Sequence, residues 1–179
     1  QADRIVLANT GEPYREGIAL SGTRHSGYSF RPFVIEGNGA ILDGSAPVAP
    51  ETWENHQGPV FRFAPPRLAH QQLFLSDRPL PRVPAGRQAD GPPELEPLQW
   101  CLYDGHIYFS VEPDTTKLPQ DYALTYAHTR VGITLLHVNG VVIRDLTVQG
   151  YQLDAVNAFN SAREVTLSGV TCRGNGRSG

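Results

Sequence analysis

The side chains able to do chemistry gather in the last third of the chain. Asp154 sits there among Arg130, Arg144, Arg173 and Arg177, with His137, Tyr151, Thr134, Asn157, Asn160 and Asn175 around it in sequence. A carboxylate beside a guanidinium is held ionised, which suits hydroxyl binding better than proton donation. Asp154 and Arg130 are the expected couple; charges facing solvent on two turns are the plainer account of the same residues, since exposed pairs contribute little. His137 ends a strand, where a loop polar residue and a general base are both open readings. The asparagines offer hydrogen bonds either to a polar ligand or to backbone in a stacked ladder. There is no G-x-S-x-G, no P-loop, no G-x-G-x-x-G ahead of a helix and no HExxH. The one lysine, Lys117, leaves no Schiff-base lysine elsewhere.

What must position these residues is a repeat. Val141–Tyr151 (VVIRDLTVQGY) superimposes on Val165–Asn175 (VTLSGVTCRGN) at an offset of 24 residues. Val141 falls on Val165, Ile143 on Leu167, Leu146 on Val170, Val148 on Cys172 and Gly150 on Gly174, while Gly132–Leu136 falls on Ala155–Phe159 with one residue of slippage. A period of this size, made of short alternating strands without a helix, reads as a parallel β-solenoid. Stacked rungs about 4.8 Å apart bring side chains into columns. Thr134 then lies under Asn157, Gln149 under Arg173, Tyr151 under Asn175 and Asp154 under Ser178, and counting back 24 from Asp154 reaches Arg130. No column stacks two acids: Asp145 falls on Gly169, Glu164 on Gly140 and Asp154 on Ser178.

Short strands at Ile5–Leu7, Ile18–Leu20, Phe33–Ile35 and Ala40–Leu42 continue the pattern at the N-terminal end, with Gly37, Gly39 and Gly44 expected where a narrow coil turns. Tyr14–Leu20 (YREGIAL), Phe33–Gly44 (FVIEGNGAILDG) and Val142–Val156 (VIRDLTVQGYQLDAV) carry a resemblance. They resemble the opening and recurring rungs of right-handed parallel β-helix proteins of the pectate-lyase-like superfamily, with Ala155 where glycine is usual.

Between these blocks the rhythm breaks and proline becomes dense. Residues 49–129 still read as strands: Val60–Phe63, Gln72–Leu75, Gln99–Tyr103, His106–Val111 and Leu124–Tyr126. Asp104-Gly105 is a strong signal for a type I′ hairpin. The expected architecture is therefore all-β: a right-handed parallel β-helix (solenoid) with rungs at 1–48, a small inserted antiparallel β domain at 49–129, and rungs resumed at 130–179. Some β-helix glycoside hydrolases resemble this arrangement. Trp53, Trp100, Tyr103 and Tyr108 are either the core of the insertion or a sugar-stacking platform. The arginines from Arg62 to Arg87 are either solvated loops or contacts for an acidic polysaccharide.

In the resembling enzymes sugar lies along the outer face of one parallel sheet. That implies Asp154 as the catalytic candidate, with Arg130, Thr134, His137, Tyr151, Asn157, Arg173, Asn175 and Arg177 as substrate-binding candidates. Glycoside hydrolysis needs two carboxylates, about 5–5.5 Å apart for retention and about 6.5–9.5 Å for inversion; the visible rungs lack a stacked pair. Lyase chemistry needs a base and cations, and would bring Ca2+ as a cofactor. The resemblance thus implies a carbohydrate-active enzyme acting on a polysaccharide or oligosaccharide, hydrolase ahead of lyase because of the insertion. A non-catalytic glycan-binding or cell-surface β-solenoid module is the alternative, since one fold hosts both.

A net charge of −3 over 179 residues argues against nucleic acid as the partner, and no apolar run reaches membrane-spanning length. Cys101 and Cys172 fit no metal spacing, and Cys172 falls on an inward position as a free thiol. With no methionine present, Gln1 reads as a trimmed start, as after removal of a signal peptide, so a secreted or periplasmic location is expected. Residues 176–179 align with the lead-in to a further coil, which predicts an N-terminal portion of a longer protein or end-to-end association through the uncapped end.

Overall fold

The computed structural model describes residues 3–86, 89–113 and 116–178; Arg87 and Gly179 lie outside them. Its strands are β1 (Arg4–Val6), β2 (Ile18–Ser21), β3 (Phe33–Asp43) and β4 (Ser45–Pro47). Next come β5 (Glu54–Gln57), β6 (Val60–Phe63), β7 (Leu73–Leu75), β8 (Arg78–Pro79), β9 (Trp100–Tyr103), β10 (His106–Ser110) and β11 (Leu124–Ala127). The last four are β12 (Ile133–Leu136), β13 (Asn139–Gln149), β14 (Val156–Phe159) and β15 (Arg163–Arg173). The chain is all-β apart from short 3-10 turns, and it divides into two compact units, residues 1–45 with 129–179 and residues 46–128.

The first unit is built from parallel sheets in the orders β1-β3-β13-β15 and β14-β12-β2. β13 and β15 pair in register from Asn139↔Arg163 to Gln149↔Arg173, the 24-residue offset visible in the sequence. β12 and β14 pair from Ile133↔Val156 to Leu136↔Phe159, one residue out of that frame. Alternation explains which side chains go inside: Val141, Ile143, Leu146 and Val148 of β13 are all at most 2% exposed. Burying each stabilises the unit by about 1.5–3 kcal/mol. Ile143 and Leu146 both face inward although three residues apart, because Asp145 between them has φ +53° and turns the strand through a corner. The corner in β3 is longer, and the register with β13 shifts between Arg144↔Glu36 and Leu146↔Ala40.

The glycines expected to supply turns divide into two kinds. Gly39 has φ +72° and does turn the chain. Gly44 instead permits a close approach: a Cβ there would lie 2.4 Å from the ring of Tyr151. Cys172 is free and half-buried against the apolar interior. β14 and β15 are edge strands of their sheets, and Leu167 is 46% exposed.

The second unit is antiparallel, with sheet orders β5-β6-β10-β9 and β4-β11-β7-β8, β4 beginning at the last residue of the first unit. Asp104 (φ +43°) and Gly105 (φ +76°) join β9 to β10, as a type I′ turn requires. Three of the four aromatics take the core reading, while Tyr103 stays half-buried with its hydroxyl on the Ala89 carbonyl at 3.0 Å. Trp100 and Tyr108 are 0% and 3% exposed, and Trp53 packs edge-on against Phe63 at 4.8 Å. Arg62 pairs with Glu54 at 3.1 Å and Arg82 lies over the Trp100 ring, so these arginines have partners within the unit.

Burial pushes the Cys101 thiol up to about 11 and holds the Tyr126 hydroxyl above its ordinary value. Burial, with the nearby charges of Asp43 and Glu16, raises that of Tyr151. In the unfolded chain these groups lose protons near 9 and 10, while the native state still holds them. Stability is therefore complete below about pH 9 and falls as pH rises toward 11. Melting curves across that range should show the decline, and Cys101→Ala should make it shallower. An equally steep decline in that variant would remove Cys101 as a contributor.

A candidate saccharide-recognition face

Two arginines, one at the end of β15 and one just after it, are held by side chains of β13 and of the residues after β13. Asp43, Gln149 and Arg173 are register partners on β3, β13 and β15. The Asp43 carboxylate, 2% exposed, accepts hydrogen bonds from the Ser45 N–H at 2.8 Å and from Gln149 Nε2 at 2.9 Å. The Gln149 amide is thereby oriented with its oxygen outward, where Oε1 accepts a bond from Arg173 Nε at 2.7 Å. Arg15 lies 3.6 Å from Asp43 on the other side and donates to the Ser45 carbonyl. The result is a row of carboxylate, amide and guanidinium in which each member fixes the next.

The second arrangement follows four residues later. Asp154 is 3% exposed, and its Oδ1 accepts bonds from Arg177 Nε at 2.9 Å and from Ser178 Oγ at 2.6 Å. Arg177 Nη2 donates to Oδ2, completing a two-pronged grip. The Asp154 hydrogen bond and charge hold Arg177 above its ordinary pKa. Between the two arginines, Asn175 pins the chain: its Oδ1 accepts from the Tyr151 N–H at 3.1 Å and its Nδ2 donates to the Val148 carbonyl at 3.2 Å.

These contacts correct several expectations. The couple is Asp154 with Arg177, and Asp154 is buried rather than solvent-facing. Arg130 is exposed, and only its carbonyl reaches this stretch, accepting the Leu153 N–H at 2.8 Å. The one-residue slip between β12 and β14 displaces the column. Tyr151 is not on the outer face: it is 0% exposed, and its hydroxyl donates to the Glu16 carbonyl at 2.6 Å. Gly150, at φ +72°, inverts the alternation immediately before it. Asn175 is engaged with backbone, the ladder reading of the two that its sequence left open.

Other candidates stand apart from this cluster. Thr134 and Asn157 are register partners on the outer face of their sheet, each partly exposed. His137 is exposed at φ +54°, just past the end of β12. Asp43 and Arg15 went unrecognised because β3 and β13 are far apart in sequence and share no repeat. Among the described residues no group of three or more His, Cys, Asp and Glu side chains is placed to hold a metal. Calcium takes six to eight oxygen ligands; a guanidinium gripping Asp154 from both oxygens does not fit that donor set. Nor, among the described residues, do the register columns of the first unit bring two carboxylates together. Fixed guanidinium forks suit carboxylates and neighbouring hydroxyl pairs.

No protein-family model matches the chain, and no curated protein sequence matches it. Among solved structures the fold is similar to that of XylC in complex with xylose, with a TM-score of 0.50 and 11% identity. The similarity covers 88% of this chain and 37% of the XylC chain. No helix among the described residues is long and apolar enough to cross a membrane.

Proposed function

We propose that the chain is a saccharide-recognising portion of a carbohydrate-active protein of right-handed parallel β-helix architecture, with residues 49–129 an inserted antiparallel domain. The observation that carries this reading is the pair of clamped arginines, Arg173 and Arg177, each held at Nε by a side chain from the preceding coil. A guanidinium fixed in this way keeps its remaining donors aimed at a ligand without losing side-chain freedom on binding. The fold-level likeness to XylC, whose structure is a complex with xylose, supports a sugar as the ligand class. Arg130, Thr134, His137 and Asn157 lie outside that cluster and are proposed as further saccharide contacts on exposed or partly exposed positions of the same unit. Hydrolysis is proposed ahead of elimination for the whole protein on the resemblance of the insertion, and a secreted or periplasmic site of action follows from polymeric substrates.

A non-catalytic glycan-binding module is the second reading. It is favoured by the engagement of both Asp154 oxygens and by the absence of stacked acids in the described columns. The test is incubation with xylan, arabinan, polygalacturonate and mixed-linkage glucan. Calorimetry would follow binding, a reducing-end assay hydrolysis, and ultraviolet absorbance of unsaturated ends elimination. Binding that weakens in Arg173→Ala and Arg177→Ala is expected. Product formation separates enzyme from module, and no binding to any polymer would sink the proposal.

A further inference from the structure

The first unit also carries an exposed aromatic pair remote in sequence from the arginine cluster. Tyr28 and Arg31 exchange both backbone hydrogen bonds, at 2.9 Å each, closing a tight turn with Ser29 and Phe30 at its tip. Phe30 is 87% exposed and Tyr28 66%, and their rings lie stacked, 5.5 Å apart at 10°. Leaving two adjacent aromatic rings in water is unfavourable, so a patch of this kind marks a contact surface.

The turn is held firmly beneath those rings. The Gly27 N–H donates to the Asn139 carbonyl at 2.8 Å, and the Asn139 N–H donates to Ser26 Oγ at 3.1 Å. Ser29 Oγ donates to Glu164 at 2.9 Å, and Arg31 pairs with Asp3. Gly140 makes the docking close: it has φ +59°, and a Cβ on it would come within 2.8 Å of Gly27. The rings are therefore presented on a pre-formed support, and ordering them on binding costs little.

We infer that Tyr28 and Phe30 form a sugar-stacking platform, a binding subsite additional to the arginine face; this rests on the reading of the chain as saccharide-recognising. Size selects the occupant. Two rings expose at most about 300–500 Å², well short of the roughly 800 Å² per partner that a stable protein interface needs. The apolar face of a pyranose ring matches the area of one aromatic ring. The rim supplied by Asp3, Ser29, Arg31 and Glu164 is polar and carries both signs of charge, as hydroxyl groups around a stacked sugar require and as an anionic lipid surface does not.

The experiment measures calorimetric Kd values of wild type, Phe30→Gln and the double variant Tyr28→Ala/Phe30→Ala with xylohexaose, cellohexaose and hexagalacturonate. The expected result is about tenfold weaker binding in the double variant for whichever hexamer wild type binds. Melting temperatures should stay nearly constant, because exposed rings contribute little to the fold. Phe30→Gln gives the answer should the double variant misfold. Unchanged Kd in folded variants overturns the platform and leaves the arginine face standing. A change in light-scattering mass with unchanged Kd overturns it in favour of self-association. Failure of wild type to bind any of the three hexamers overturns the platform, while the polymer panel above decides the saccharide reading separately.

Discussion

Under the proposed function, Asp154→Asn lowers kcat/KM about ten- to hundredfold, or weakens Kd by the same factor if the protein only binds. The asparagine keeps the size of the carboxylate but removes its charge. One of its two terminal groups becomes a donor facing the donors of Arg177 or Ser178. Charge-assisted hydrogen bonds of this kind contribute about 1.5–3 kcal/mol, which gives the stated factor. Asp154 acts here as a positioning residue, because both oxygens are engaged with Arg177 and Ser178. The effect should therefore appear mainly in KM or Kd, and should nearly vanish in an Arg177→Ala background, where there is no guanidinium left to orient. A loss confined to kcat and undiminished in that background would instead make Asp154 a participant in the chemistry. Near-normal values would remove it from the site.

Tyr151→Ala lowers the melting temperature of the first unit by roughly fifteen degrees or more. The ring is completely buried, packs against Gly44 and donates its hydroxyl to the Glu16 carbonyl. Truncating a large buried aromatic costs about 3–5 kcal/mol, and in a unit of about a hundred residues each kcal/mol moves the midpoint by about 4–8 °C. Tyr151→Phe removes only the hydrogen bond and should cost about 1 kcal/mol. Gly44→Ala pushes a methyl group into the same ring and should cost about 1–3 kcal/mol. Differential scanning calorimetry separates these values. A Tyr151→Ala protein melting within a few degrees of wild type would show that the ring is not part of the core.

Sequence made parts of this structure legible and hid others for definite reasons. The pairing of β13 with β15 could be read because two neighbouring strands repeat their apolar positions, Val141 with Val165 through Val148 with Cys172. The Asp104-Gly105 hairpin could be read because few residue pairs tolerate two positive φ angles in succession. Tyr151 was misplaced because counting alternate residues assumes an extended chain, and Gly150 breaks that assumption. Arg130 was misplaced because the 24-residue frame of β13 and β15 does not hold for β12 and β14 and the residues before them. The row from Asp43 to Arg173 joins strands separated by the whole second unit, so no local pattern announces it. The Tyr28–Arg31 turn belongs to no repeat at all, and composition cannot tell an exposed aromatic from a buried one.

The insertion point has a consequence for how the chain reaches this state. β3 and β13 pair as intimately as β13 and β15, yet Asp43 and Gln149 are separated by more than a hundred residues. Closing so long a segment carries an entropic cost that grows only logarithmically, about 0.6 kcal/mol for each doubling, but the search is slow because contact order is high. The second unit shortens it. Once that unit folds, the Val48 N–H meets the Leu124 carbonyl at 3.4 Å, so the long segment's two ends are already neighbours. The later contact, the Thr129 N–H on the Gly44 carbonyl at 2.8 Å, then closes a gap of a few residues rather than of eighty-five. With the second unit folded first, an interruption that looks like a burden on the first unit would act, kinetically, as the clasp that brings its two halves together.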